Sequence, residues 1–183
     1  MESKSLPFVG DLYAMEAKLD GKMLEFLLAK NWVKYESDAS TAVGVLCFTD
    51  GKKPYGVPLT YTLYNDGVLY FGLGLSGRKY EYFQKCNDVC FTVFETFQVA
   101  GDPLRRGWWS IILDGELSQI TDPEEIMAVG DLMEAQGIFP PGLKEKFLGA
   151  MLKNPEHSNF FKMKITQFGG KELGEYRPEK EIE

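Results

Sequence analysis

The stretch Tyr70–Phe94, YFGLGLSGRKYEYFQKCNDVCFTVF, places three glycines and a serine ahead of the adjacent cations Arg78 and Lys79. Glycines let a ligand approach the backbone closely. A helix starting near Gly77 would turn its free N–H groups toward the loop, where anions bind readily. Ser76 adds a hydroxyl, and Arg78 and Lys79 add charge, so a phosphate would find all three kinds of donor there. A solvated turn that starts a helix explains the same residues, and spacing alone leaves both readings open. Gly72-x-Gly74 is not a dinucleotide fingerprint, because the next glycine is misplaced and no crossover unit follows. The Gly-Lys-Ser/Thr order of a Walker loop is absent too.

Other chemistry has little material. His157, in NPEHSN, is the only histidine, so a Ser-His-Asp triad or a multi-histidine metal site is not supported. A lone histidine in a polar turn is most simply solvated. Cys86 and Cys90 lie four apart across a helix-to-strand junction and read as small apolar groups rather than a redox pair. Asp122, Glu124 and Glu125 cluster, but helix capping accounts for them. No catalytic residue can be named, and no metal site is expected.

Composition narrows the class. A length of 183 residues suits one domain, expected to span 1–183. A net charge of -7 argues against a nucleic-acid binder, which needs a basic face, but not against one small basic pocket. Aromatics at 14% favour strands, apolar pockets and subunit interfaces. Three cysteines without metal or disulfide spacing suggest a reducing, cytoplasmic setting. The first residues show no basic region followed by an apolar run, so no signal peptide is expected. No apolar run approaches the ~18 residues of a membrane span.

Around the basic loop the hydrophobic period changes along the chain. Leu12, Met15, Leu19, Met23, Phe26 and Leu27 recur at three and four, which predicts a helical lead-in over 11–32. TAVGVLCFTD reads as a strand and GKKP as a turn. YGVPLTYTLYNDGVLYFGLG reads as a hairpin about Asn65-Asp66-Gly67. Pro58 cannot donate to a ladder, so its arm is an edge or has a break where the backbone is free for another partner. GRKYEYFQKC predicts a helix with Tyr80, Phe83 and Gln84 facing inward. DVCFTVFETF and WWSIILDGELSQI predict two strands, the second with a bulge or bend at Gly115. TDPEEIMAVGDLMEAQG predicts a helix capped by Thr121 or Asp122, with Pro123 at its first position. PPGLKEKFLGAML predicts another, and NFFKMKITQF a last strand with Phe161, Met163 and Ile165 on one face. The segment 169–183 reads as a charged, frayed tail. The pattern is α+β: about six antiparallel strands, core 38–168, with flanking helices and closure of the sheet removing its edges.

In this order and spacing, GVLCFTDGKKPYGVPLTYTLYNDGVLYFGLGLSGRKYEYFQKCNDVCFTVFE followed by WWSIILDGELSQITDPEE resembles the pyridoxamine 5'-phosphate oxidase-like flavoproteins, nearest the nitroimidazole-resistance branch. The resemblance covers roughly Ala42 to Phe168. It implies a six-stranded split β-barrel and a homodimer with FMN in clefts between subunits. Val57, Pro58, Leu59 and Thr60 would lie along the flavin ring. Ser76, Gly77, Arg78 and Lys79 would hold the ribityl phosphate. Trp108 and Trp109 would begin a strand near the partner's cleft, stacking on a ring or packing core or interface. That branch often has a histidine where this chain has Gly72, which would leave space above the ring. Where many relatives have an arginine this chain has Trp109, so one cationic contact is missing or comes from Arg105 or Arg106. The implied function is an FMN-dependent oxidoreductase acting on a small molecule. The alternatives are a non-catalytic flavin-binding protein and a haem-binding or haem-degrading one, though a single histidine is poor material for an axial ligand.

Overall fold

The computed structural model describes residues 43–65, 67–98, 104, 106–135 and 142–173. The helical lead-in expected over 11–32 lies outside the described residues. Six strands, β1 (Val43–Thr49), β2 (Pro54–Asn65), β3 (Val68–Gly72), β4 (Asp88–Gln98), β5 (Arg106–Gln119) and β6 (Phe160–Leu173), form a closed antiparallel barrel in the order β1-β2-β3-β6-β5-β4. Three helices are described: α1 (Gly77–Phe83), α2 (Pro123–Ala135) and α3 (Lys144–Lys153).

Strict alternation builds the wall. Along β5, odd positions from Gly107 to Leu117 are buried while Ile112, Glu116 and Ser118 face out, as a strand with one buried face requires. Phe71, Phe91, Trp109, Ile111, Phe161 and Met163 fill the barrel, each 2% exposed or less. Burial of each such side chain contributes about 1.5–3 kcal/mol. Gly44 lets the Phe91 ring cross β1 against bare backbone, since a Cβ there would collide with that ring. Gly115 sits at the expected irregularity, where the β5–β6 register shifts between Asp114 and Gly115. A Cβ on Gly115 would strike the Lys164 carbonyl. The β2–β3 hairpin turns through Gly67 at φ +82, a conformation that glycine adopts without strain.

Helices α2 and α3 pack on each other and on the start of β6. Their core holds Ile120, Ile126, Val129, Met133, Leu148 and Phe160. Asp122 caps α2: its Oδ1 accepts the Glu124 N–H at 3.0 Å and its carbonyl the Ile126 N–H at 2.9 Å. Lys162 on β6 pairs with Glu125 at 2.6 Å, tying α2 to the barrel.

Two expectations change. Within α1 the buried side chain is Tyr82, Tyr80 and Phe83 pack partly against the barrel core, and Gln84 is exposed as the C-cap residue. Seven residues make too few turns for periodicity to set the buried face, which packing on Tyr55 sets instead. The second change concerns 169–173, expected in the charged tail: it continues β6, pairing Gly169 with Ile112 through to Leu173 with Trp108. The β5 ladder holds this stretch as strand. Trp109 lies inside the barrel, 1% exposed, so of the readings open from the sequence its ring takes that of core packing.

Candidate functional site: a notch between β2 and the Gly72–Lys79 loop

The barrel wall loosens at one place. On one edge β2 pairs with β1 from Thr60↔Val43 to Pro54↔Thr49, with Pro58 opposite Val45. On the other edge β3 pairs only with Tyr61–Asn65. The Pro54–Thr60 half of β2 therefore has a strand partner on one side only, as the position of Pro58 anticipates. Val57 and Leu59 turn their side chains toward the core, whereas Gly56 and Pro58 are exposed. What this half of β2 offers a ligand is backbone and the Pro58 ring.

Beyond Phe71, β3 no longer pairs with β2, and the chain runs on into GLGLSG. Leu73 is buried and Leu75 packs partly on the core, while Gly72, Gly74, Ser76 and Gly77 are exposed. The leucines anchor the loop, and the small residues between them present its backbone outward. The Leu73 N–H donates to the Asn159 carbonyl at 2.8 Å, which fixes the loop to the segment before β6. This brings the turn carrying His157, remote in sequence, next to the loop; His157 itself is exposed in the short helix Pro155–His157. A Cβ on Gly72 or Gly74 would meet nothing within 4 Å, so the loop borders open space.

Helix α1 returns toward the start of β2. Gly77 takes φ +75, and Ser76 makes no side-chain capping hydrogen bond. The Arg78 guanidinium carbon lies 4.2 Å from the centre of the Tyr55 ring and 5.4 Å from that of Tyr82. Arg78 and Tyr82 are four apart on one helix face, and Tyr55 comes from β2. A hydrogen bond with the Tyr82 side chain raises the pKa of Arg78 above its ordinary value, and the Tyr55 and Asp50 side chains add to this. A guanidinium has five N–H donors, so a cation held over aromatic rings and bonded to Tyr82 still has donors to offer an anion.

Val57, Pro58 and Leu59 lie on the half of β2 that begins beside Tyr55, the residue Arg78 reaches, and Gly72, Ser76 and Gly77 lie exposed on the loop that leads to Arg78. Lys79 is half-buried beside Arg78, and Thr60 is placed by its backbone pairing alone. Trp108 lies elsewhere, half-buried and outward-facing on β5, paired with Thr96. Arg106 is exposed at the start of that strand, and Arg105 lies outside the described residues. Sequence reasoning missed Tyr55 and Tyr82 as the platform for Arg78. The signal was present as an aromatic after the GKKP turn and a tyrosine four residues past the arginine.

A closed six-stranded antiparallel barrel, opened at one strand edge beside a glycine-rich basic loop, defines a split-barrel protein. The family model described as pyridoxamine 5'-phosphate oxidase matches residues 39–172, and the chain belongs to that family. Solved structures agree on the fold. A FAD-binding protein from Mesorhizobium loti is 25% identical, with 88% of this chain and 100% of that one covered at a TM-score of 0.56. A candidate 5-nitroimidazole antibiotic resistance protein from Bacteroides thetaiotaomicron is 21% identical over 73% of this chain and 78% of that one, TM-score 0.55. The FAD-binding protein from Mycobacterium smegmatis is 16% identical over 86% and 99%, TM-score 0.54. No curated protein matches the sequence. Among the described residues, no helix is long and apolar enough to cross a membrane.

Proposed function

We propose that this protein binds FMN and uses it as an oxidoreductase acting on a small molecule. One observation carries the reading: the Arg78 guanidinium, stacked on Tyr55, stands beside the half of β2 that has no strand on its outer edge. A flavin mononucleotide has both features that this notch matches, a flat ring with a polar edge and a phosphate. The residues fit such a group. Backbone of Val57–Thr60 is available to the ring edge, Pro58 offers an apolar surface, and Ser76, Gly77, Arg78 and Lys79 supply donors to the phosphate. Family membership and the likeness to the FAD-binding protein from Mesorhizobium loti support a flavin.

The flavin, when bound, supplies the electron chemistry. The protein's part is to orient the ring along β2, hold the phosphate and leave the Gly72 side open to a substrate. No side chain at the notch is a convincing general acid or base.

A homodimer completes the reading. Phe94 and Ile112, 65% and 44% exposed, face outward from β4 and β5. Val45 lies between Pro58 and Thr92, and Thr92 pairs with Ile112, so the apolar outer face runs to the ring-binding half of β2. A second copy covering this face would border the flavin. Sparse cysteines fit a reducing, cytoplasmic setting. The test compares FMN with riboflavin by fluorescence titration. Tighter binding of FMN by tenfold or more supports the phosphate assignment; equal affinities overturn it.

A further inference from the structure

A row of residues crosses the outer wall one step along from Pro58. The registers place Gly56 opposite Cys47, Cys47 opposite Cys90, Cys90 opposite Asp114, and Asp114 opposite Gln167. Directly opposed residues in antiparallel strands point to the same face, with Cα atoms about 4.5–5.5 Å apart. A disulfide spans Cα separations of about 4.4–6.8 Å. Both thiols are half-buried, and both line a concavity of about 450 Å³ that also touches Thr49, Asp88, Glu116 and Thr166. Gly56 presents no side chain to Cys47; a Cβ there would come into ordinary van der Waals contact with its Sγ, at 3.6 Å. Among the described residues, no group of three or more His, Cys, Asp and Glu side chains could hold a metal ion. The pair is left with sulfur chemistry.

We propose that Cys47 and Cys90 form a dithiol site that exchanges with low-molecular-weight disulfides and closes to a cross-strand disulfide between β1 and β4. This assignment is independent of the flavin site. The two thiols have unequal roles. Burial raises the pKa of both, but Cys90 is pushed up to about 12, with the Asp114 carboxylate beside it adding to the effect. Asp114 is held in place by Gln167, whose Nε2 donates to Oδ2 at 2.7 Å. Cys90 carries the larger shift, so Cys47 is assigned as the first nucleophile and Cys90 as the second; with both thiols raised, exchange is expected to be slow near neutral pH and to accelerate as pH rises. With glutathione disulfide, the Cys47 thiolate attacks one sulfur, forms a mixed disulfide and releases one glutathione, which takes up the Cys47 proton. Cys90 then attacks the Cys47 sulfur, and the second glutathione leaves with the Cys90 proton. Two protein thiols are oxidised and one glutathione disulfide is reduced to two thiols.

The position makes the bond consequential. The β1–β4 ladder that closes the barrel has three register pairs, against eleven for β4–β5, and Cys47↔Cys90 ends it. A disulfide there staples the shortest seam.

The experiment treats the reduced full-length protein with glutathione disulfide and follows intact mass and peptide maps. The expected product has lost two hydrogen atoms and links the Cys47 and Cys90 peptides, with a raised melting temperature. Cys90→Ser is expected to stop at one glutathione on Cys47, and Cys86→Ser to react like the wild type. Asp114→Asn tests its positioning role. Cys90 is faced by Cys47 on β1, Asp88 on its own strand, and Asp114 and Glu116 on β5; the neighbouring β6 residues Thr166 and Gln167 are uncharged, and Lys164 lies opposite Glu116. With Asp114 neutral, the closing step is expected to reach a given rate at lower pH, retaining a slope of about tenfold per pH unit. A wild-type map in which Cys86 is linked, the mixed disulfide at Cys47 persists, or nothing reacts while the denatured chain does, overturns the site.

Discussion

The guanidinium of Arg78, in the first turn of α1, lies 4.2 Å from the centre of the Tyr55 ring near the start of β2. This contact joins two segments that the proposed function needs together, a strand edge for a ring and a basic loop for a phosphate. Replacing Arg78 and Lys79 by alanine is expected to weaken FMN binding by roughly ten- to a hundredfold, as for lost charge-assisted hydrogen bonds. Riboflavin binding should change little. Tyr55→Leu keeps both cations but removes the platform, so its loss of FMN affinity should be smaller. Titration of folded variants with both ligands checks this; unchanged FMN affinity in the double variant removes the phosphate from this loop.

Glycines divide into those the barrel needs and those the notch leaves open. Gly44→Ala and Gly115→Ala push a Cβ into the Phe91 ring and the Lys164 carbonyl, and each should cost about 1–3 kcal/mol as overpacking does. Gly72→His meets open space and should stay within about 0.5 kcal/mol of the parent. It also restores the side chain that nitroimidazole-resistance relatives often carry there, so its effect on flavin-dependent reduction can be read in a stable protein. Thermal denaturation of the three variants tests the division.

The outward Phe94 and Ile112 should report the dimer. Phe94→Glu with Ile112→Glu is expected to give a folded monomer in sedimentation, because both side chains are already exposed in one copy, and to lower FMN uptake. A wild-type monomer that binds FMN tightly at micromolar concentration contradicts the shared cleft.

Asp50 gives a pH signature at the β1–β2 turn. Its carboxylate accepts the N–H groups of Lys52 at 3.0 Å and Lys53 at 2.8 Å. These bonds, that from Lys53 first, hold its pKa below the ordinary carboxylate value. A depressed folded pKa contributes stability above the unfolded pKa of about 3.9 and loses it as pH falls through the folded value. The melting temperature of Asp50→Ala should therefore sit below the wild type near neutral pH, with the gap closing under acid conditions. Asp50 is only partly buried, so salt should narrow the gap as well.

Much of the barrel was legible because its signals are local. Asn65 and Gly67 bracket a turn that needs φ > 0, and Gly115 interrupts an otherwise regular alternation. The same alternation along WWSIILDGELSQ puts Trp109 inside and Trp108 out, although adjacency made the two tryptophans look equivalent. Non-local contacts were not legible. Gly169–Leu173 becomes strand only because β5 extends beside it. The buried face of α1 is chosen by Tyr55, which lies 5.3 Å from Tyr82 between ring centres. Cys47 and Cys90 are 43 positions apart in sequence and meet only when β1 and β4 close the barrel. At the notch the residue types of SGRK were readable, but the cation's aromatic platform needed the strand that the helix packs on.

The most direct measurement is the absorption spectrum of the purified protein before and after incubation with FMN and removal of the excess. Flavin bands displaced from those of free FMN are expected, at one flavin per chain. A protein that stays colourless after reconstitution, or one that shows a Soret band instead, contradicts FMN binding.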